Sequence, residues 1–172
     1  MRPEPRPGFL CAVSKLRGFV KYWLPILLWL ALIFTASSDE QSAERSSRII
    51  GPLVHWLFPH LSEGKVQDVV TVVRKWAHVT EYAVLTWLFW RAVRKPVRAE
   101  PRPWNWREAG MVLVCVALFA ISDEIHQAFV PTRQASPWDV MIDATGAVLG
   151  LLAIWLVCRW RMRYRKKDIC LP

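Results

Sequence analysis

The sequence predicts an all-α integral membrane protein: a four-transmembrane-helix bundle with a short amphipathic surface helix in the first external link. Three observations carry this expectation. Of 172 residues, 53% are hydrophobic and 22% charged, and the charges stand in blocks between apolar runs instead of being interspersed. Four such runs each approach the ~20 residues that a ~30 Å hydrocarbon core requires. Eleven Trp against seven Gly is unlike the usage of a soluble enzyme. No Gly-rich phosphate loop, alternating strand pattern or internal repeat supports a doubly wound alternative.

The elements follow in order. A basic tail over 1–18 leads into run one, Phe19 to Ser37. A basic start before a short apolar run also fits a cleaved signal peptide. Phe34, however, stands where cleavage after Ala36 would want a small residue, so the segment is read as a retained helix. In the long link that follows, Ile49, Ile50, Leu53, Val54 and Leu57 recur at helical spacing opposite Ser46, Ser47 and Arg48. This is the pattern of an amphipathic helix on the outer surface, one that Gly51 and Pro52 are expected to break or kink. Val66, Val69, Val70 and Val73 then extend a stripe into run two, Trp76 to Val93, so the second spanning helix is expected to project from the membrane. Run three covers Ala109 to Val130 and run four Trp138 to Cys158. Runs one and four lack the repeating polar face of a soluble bundle. The membrane domain is thus read as 19–158, between basic tails at 1–18 and 159–172.

Orientation follows from the Lys and Arg flanks. Arg2, Arg6, Lys15, Arg17 and Lys21 precede run one; Arg91, Arg94, Lys95, Arg98, Arg102 and Arg107 separate runs two and three; Arg159, Arg161, Arg163, Arg165, Lys166 and Lys167 follow run four. The link between runs three and four holds Arg133 alone. In the first link, Arg45, Arg48, Lys65, Arg74 and Lys75 are offset by Asp39, Glu40, Glu44, Glu63 and Asp68. Strong and weak segments alternate as they should for a multi-pass cell-membrane protein with both termini cytoplasmic. The net charge of +9 then faces anionic lipid of the inner leaflet, and nucleic acid is set aside because no reading module is recognisable. Trp23, Trp76, Trp104, Trp106, Trp138 and Trp160 fall at span ends, where amphipathic rings favour the headgroup level. Trp29 and Trp87 fall deeper and are expected to pack between helices. Cys11, Cys115, Cys158 and Cys170 show neither CxxC nor metal-ligand spacing and are read as unpaired.

Ionisable groups inside spans are costly and each needs a reason. Counted from the basic ends at about 1.5 Å per residue, His78 stands ~20 Å up, and Ser37, Asp123 and Asp143 each stand ~24 Å up. Polar groups from four helices therefore reach one level, with nothing comparable expected near the inner face. Helical spacing puts Arg74, His78 and Glu81 on one face, Asp123, His126 and Gln127 on another, and Asp139 and Asp143 on a third. Glu124 and Arg133 flank them. The last stripe continues to Gly146 and Gly150, a GxxxG that admits a close neighbour.

The stretches SDEIHQAFVPTRQASPWDVMIDATGAVLG (Ser122–Gly150), RKWAHVTEYAVL (Arg74–Leu85) and FTASS (Phe34–Ser38) together resemble the signatures of the VanZ-like family, over about Tyr22 to Cys158. Thr132 departs from the pattern, which has Gly between the Pro and Arg of that loop. The resemblance implies a four-helix membrane fold and makes Lys75, His78, Tyr82, Asp123, Glu124, His126, Gln127, Arg133, Asp139 and Asp143 motif positions. The family's namesake is associated with resistance to teicoplanin, a lipid-bearing glycopeptide acting at the outer membrane surface.

Three readings of the cluster stand side by side. Its charges staple the helices together; or they form a site for a membrane-lipid headgroup, a lipid-linked wall precursor or a lipoglycopeptide; or they act catalytically on a lipid-linked substrate, with His78 or His126 as base and Asp123 or Asp143 orienting it. A proton-coupled transporter fits least, since no inverted repeat is present. No HExxH motif or lipid-phosphatase signature occurs, so no metal and no cofactor is expected.

Overall fold

The computed structural model describes residues 16–38, 42–95, 103–129 and 136–169. Every regular element among them is an α-helix. These are α1 (Leu24–Ser38), α2 (Ser42–Leu57), α3 (Glu63–Arg94), α4 (Trp106–Ala128) and α5 (Pro137–Ile169). Residues 16–22 are also helical, and they run on into α1 through the bonds Trp23 N–H to Phe19 C=O and Leu27 N–H to Trp23 C=O. Three segments are long and apolar enough to cross a membrane: Leu16–Ser37, Trp106–Ala128 and Pro137–Arg163. α3, which contains the expected second span, is not among the three.

α3 touches every other helix and lies most extensively along α5. It contributes Tyr82, Leu85, Leu88, Trp90 and Ala92 to the core, joined by Ile26 and Ile33 of α1, Ala147 of α5 and a stripe of α4. That stripe runs Ala109, Val112, Val116, Ala120, Asp123, Gln127, all buried. Its spacings of three and four keep it on one helix face, so the inward face of α4 turns from apolar to polar along its length. The outward faces show the reverse of a soluble protein. Leu28 on α1, Leu118 on α4 and Leu156 on α5 are among many exposed large apolar side chains. Such a surface would be an aggregation liability in water and is the ordinary exterior of a helix bathed in lipid.

The Gly146–Gly150 stripe faces α3. A Cβ added at Gly146 would fall on the carbonyl oxygen of Val79, and one at Gly150 would come within 2.9 Å of the Ala83 carbonyl oxygen. Both neighbours are backbone, which cannot swing aside, so glycine is what lets the two helices meet at this distance. The residue numbers in the pairs Asp143–His78, Gly146–Val79 and Gly150–Ala83 rise together along both helices, so α3 and α5 run in the same direction.

Several local expectations need correction. α2 runs unbroken through Gly51 and Pro52. Pro52 removes one backbone donor, but burial of Gly51 and Val54 against α3 holds the helix together. Val66 and Val70 are buried at the start of α3, so the expected extension of that helix into the link is present. α5 continues to Ile169, and the basic stretch after Cys158 begins as helix. Trp29 packs between helices as expected, whereas Trp87 is 51% exposed. Cys115 and Cys158 are free thiols; Cys11 and Cys170 lie outside the described residues.

Gly146→Ala should therefore destabilise the protein by about 1–3 kcal/mol, the range of overpacking in a close-packed core. Gly110→Ala, where a new methyl meets nothing within 4 Å, should be neutral or stabilise by up to about 1 kcal/mol. Thermal melts of the two detergent-purified variants decide it; equal melting temperatures would mean that the α3–α5 approach is looser than described.

Candidate functional site

The polar end of the α4 stripe meets the last turn of α1. Ser37 Oγ donates to Asp123 Oδ2 at 2.8 Å, and Gln127 Nε2 donates to the same oxygen at 3.0 Å. Asp123 is 1% exposed. Its other oxygen, Oδ1, is buried and accepts no hydrogen bond. Gln127 can reach the carboxylate because it stands one helical turn further along the same face.

On the α3–α5 side, Asp143 is likewise buried. Its Oδ1 faces His78 Nδ1 at 3.5 Å, an ion-pair separation longer than a good hydrogen bond. Tyr82 is fully buried, and its hydroxyl lies toward Asp143 without making a hydrogen bond. Asp123, Asp143, Tyr82 and the half-buried Glu81 lie near enough to feel one another's charge. The Glu81 backbone carbonyl accepts from Trp29 Nε1 at 3.0 Å, tying α1 to this turn of α3. His126 is half-buried and stacks on Phe34, with ring centroids 4.0 Å apart.

The remaining candidates divide. The Glu124 carboxylate accepts the Ser136 amide N–H, joining the end of α4 to the start of α5; Pro137 then occupies the first helical position, where its missing N–H costs nothing. Asp139 and Arg74 are half-buried, and Lys75 is exposed. Arg133 lies outside the described residues. Among those that are described, no three His, Cys, Asp or Glu side chains converge to hold a metal ion.

The opposite end of the same helices corrects one expectation. Arg94 is not a solvated flanking charge, and a polar cluster does form at this level. Its side chain is 8% exposed and Nε stands 2.9 Å from Glu108 Oε2. The guanidinium also donates to the Pro103 carbonyl and lies over the Trp90 ring. Trp90 and Trp104 stack at 4.6 Å, and Trp106 meets Trp104 edge-on. Asn105 caps α4, its side chain accepting from the Arg107 N–H. Lys95 ends α3 in the left-handed region at φ 41°. The signal for this cluster in the sequence is the WNW triplet, Trp104 to Trp106, facing Trp90.

With this geometry in view, the VanZ/LLP1 family model matches residues 22–159. The chain is a membrane protein whose polar groups are gathered between apolar helices, and it belongs to the VanZ-like family. No curated protein and no solved structure matches it.

Two measurements test the contacts. Double-mutant cycles of Ser37→Ala with Asp123→Asn, and of His78→Ala with Asp143→Asn, should show coupling of roughly 0.5–3 kcal/mol; additive losses would separate these side chains. At the other end, Glu108→Gln should cost about 1–3 kcal/mol by leaving the Arg94 charge buried without its partner, while Arg107→Gln, on an exposed side chain, should change the melting temperature little.

Proposed function

We propose that α1, α3, α4 and α5 all cross the cell membrane with both chain termini in the cytoplasm, and that α2 lies on the outer surface. The level of Ser37, His78, Asp123 and Asp143 then forms an outward-facing site. The site binds a lipid headgroup, a lipid-linked wall precursor or an amphiphilic antibiotic, and glycopeptide (teicoplanin) resistance is the phenotype it would confer. One observation carries the reading. Two carboxylates and a tyrosine hydroxyl are buried at one level with hydrogen-bonding capacity unused, and intramembrane polar groups held at such a cost mark functional sites. A purely structural network would be expected to satisfy its members fully.

An intramembrane enzyme acting on a lipid-linked substrate is the second reading, favoured by the orientation of His78 toward Asp143. Incubating the purified protein with envelope lipids separates the two, since turnover supports the enzyme and saturable binding without turnover supports the site.

On a cysteine-free background, Ser62→Cys should react with an impermeant thiol reagent in spheroplasts and Arg98→Cys should not; the opposite pattern would move the polar level to the cytoplasmic side. Arg133→Ala and Asp139→Asn should leave the melting temperature nearly unchanged while abolishing the envelope phenotype, read as susceptibility to a lipoglycopeptide. A phenotype lost only in proportion to stability would reduce the network to a staple.

A further inference from the structure

Tyr22, in the helical segment that leads into α1, is half-buried against the core. Two cations meet at its ring. Lys21 Nζ stands 5.2 Å from the ring centroid, and the guanidinium of Arg91, from α3, stands 5.4 Å from it. A ring face attracts a cation, but two positive groups drawn to one ring repel each other. No carboxylate on the surrounding helices answers them. Residues 16–37, α3 from Tyr82 onward and α5 from Ala144 to Arg163 hold none, and Glu108 at this end faces Arg94. Among the described residues, neither Lys21 nor Arg91 forms an ion pair.

From this corner toward the polar level, both helices present apolar side chains. Leu24 and Leu28 follow Lys21 at spacings of three and four, hence on one face, and both are exposed. Trp87 stands one turn before Arg91 on the same face of α3 and is exposed too. α1 and α3 are antiparallel, since Tyr22 lies by Arg91 while Trp29 reaches back to Glu81. Both apolar stripes therefore lead away from the cations in the same direction. Cations at the head of an apolar stripe match an anionic group that carries a hydrocarbon chain. A soluble phosphate or an acidic peptide would use the cations and leave the stripe uncovered.

We infer that the corner formed by Lys21, Tyr22 and Arg91 binds the phosphate of an acidic phospholipid, with an acyl chain along Leu24, Leu28 and Trp87. Arg91 offers a planar fork suited to phosphate and Lys21 a compact second charge. Basic pockets between spanning helices hold anionic headgroups in this way. The anion offsets the repulsion between the two side chains, and the outward position of Trp87 acquires a use. This corner lies at the opposite end of the helices from the proposed outward-facing site and stands without it. Arg159 supplies the comparison. It lies over the Trp155 ring at 5.1 Å, about two turns beyond Gly150, as Arg91 is about two turns beyond Ala83. Because Gly150 meets Ala83, Arg159 reaches the same level with the same charge, but alone on its ring.

The test uses the full chain in detergent, with melting temperature and native mass spectrometry as readouts. Phosphatidylglycerol should raise the melting temperature saturably and remain bound; phosphatidylcholine and inorganic phosphate should do neither. Arg91→Gln and Lys21→Gln should each weaken phosphatidylglycerol binding about tenfold, the scale of one hydrogen bond to a charged group, and Arg159→Gln should leave it unchanged. Lys21→Gln removes a repulsion, so the lipid-free melting temperature should stay level or rise; a cation that only braces the ring would lower it. Should Arg91→Gln fail to fold, Lys21→Gln, on an exposed side chain, carries the test. Equal binding of the choline lipid, or equal stabilisation by inorganic phosphate, overturns the inference. Equal loss in Arg159→Gln overturns it by reducing the effect to the general basic charge of this end. A lower lipid-free melting temperature in Lys21→Gln with undiminished lipid binding, or no binding of phosphatidylglycerol at all, overturns it as well. None of these outcomes bears on the outward-facing site.

Discussion

The contact on which the polar level depends is a backbone one: α5 lies against α3 where Gly146 meets the Val79 carbonyl and Gly150 meets Ala83. Between helices in lipid there is no hydrophobic drive to bring them together, so close packing of small residues and polar contacts must do it. The same approach sets the register of everything one turn away. Asp143 stands one turn before Gly146 and is thereby laid beside His78, while Thr86 borders the space that a side chain at Gly150 would claim. A Cβ at Gly146 would push the helices apart at the turn where the buried carboxylate most needs company.

The two ends of the helices handle buried charge in opposite ways. At one, Arg94 and Glu108 are of opposite sign and face to face, with the Trp90 ring against the guanidinium. That arrangement draws the end of α3 and the start of α4 together. At the other, carboxylates from α4 and α5 gather without a buried cation among the described residues. Ser37 and Gln127 blunt one oxygen of Asp123 and leave the second exposed to its neighbours' charge. Burying two like charges costs far more than burying a pair, so the second end is the one whose composition asks for something beyond stability.

Much of this was legible in the sequence because it follows from counting. The apolar runs and their polar flanks give the helices. Counting turns from the basic ends puts Ser37 and Asp123 at equal depth, and their side chains meet at 2.8 Å. Spacing of four places Gly146 and Gly150 beneath Asp143 and so predicts a close neighbour, though not which helix supplies it. What escaped depends on contacts across turns. Six basic residues separate runs two and three, and no property of Arg94 alone distinguishes it from the other five. Its burial requires that Glu108 fold back within reach and that Trp90 and Trp104 close over it. The continuity of α2 through Pro52 escaped for a related reason: local propensity argues for a break, and packing against α3 overrides it. Trp87, expected between helices, faces outward because rotation of α3 is fixed by Tyr82 and Gly146, which the pattern of tryptophans does not reveal.

α3 is a single helix of 32 residues, ~48 Å long at the usual rise, and α2 is docked beside its first turns. Its far end is fastened by Arg94 to α4. A rod clamped at one end and loaded at the other moves as a lever, with little bending in between. Displacement of α2 by a few ångströms would be felt, scaled down, at His78 and Tyr82, part-way along the arm. The turn that carries the buried tyrosine is thus mechanically continuous with the segment furthest from the clamp.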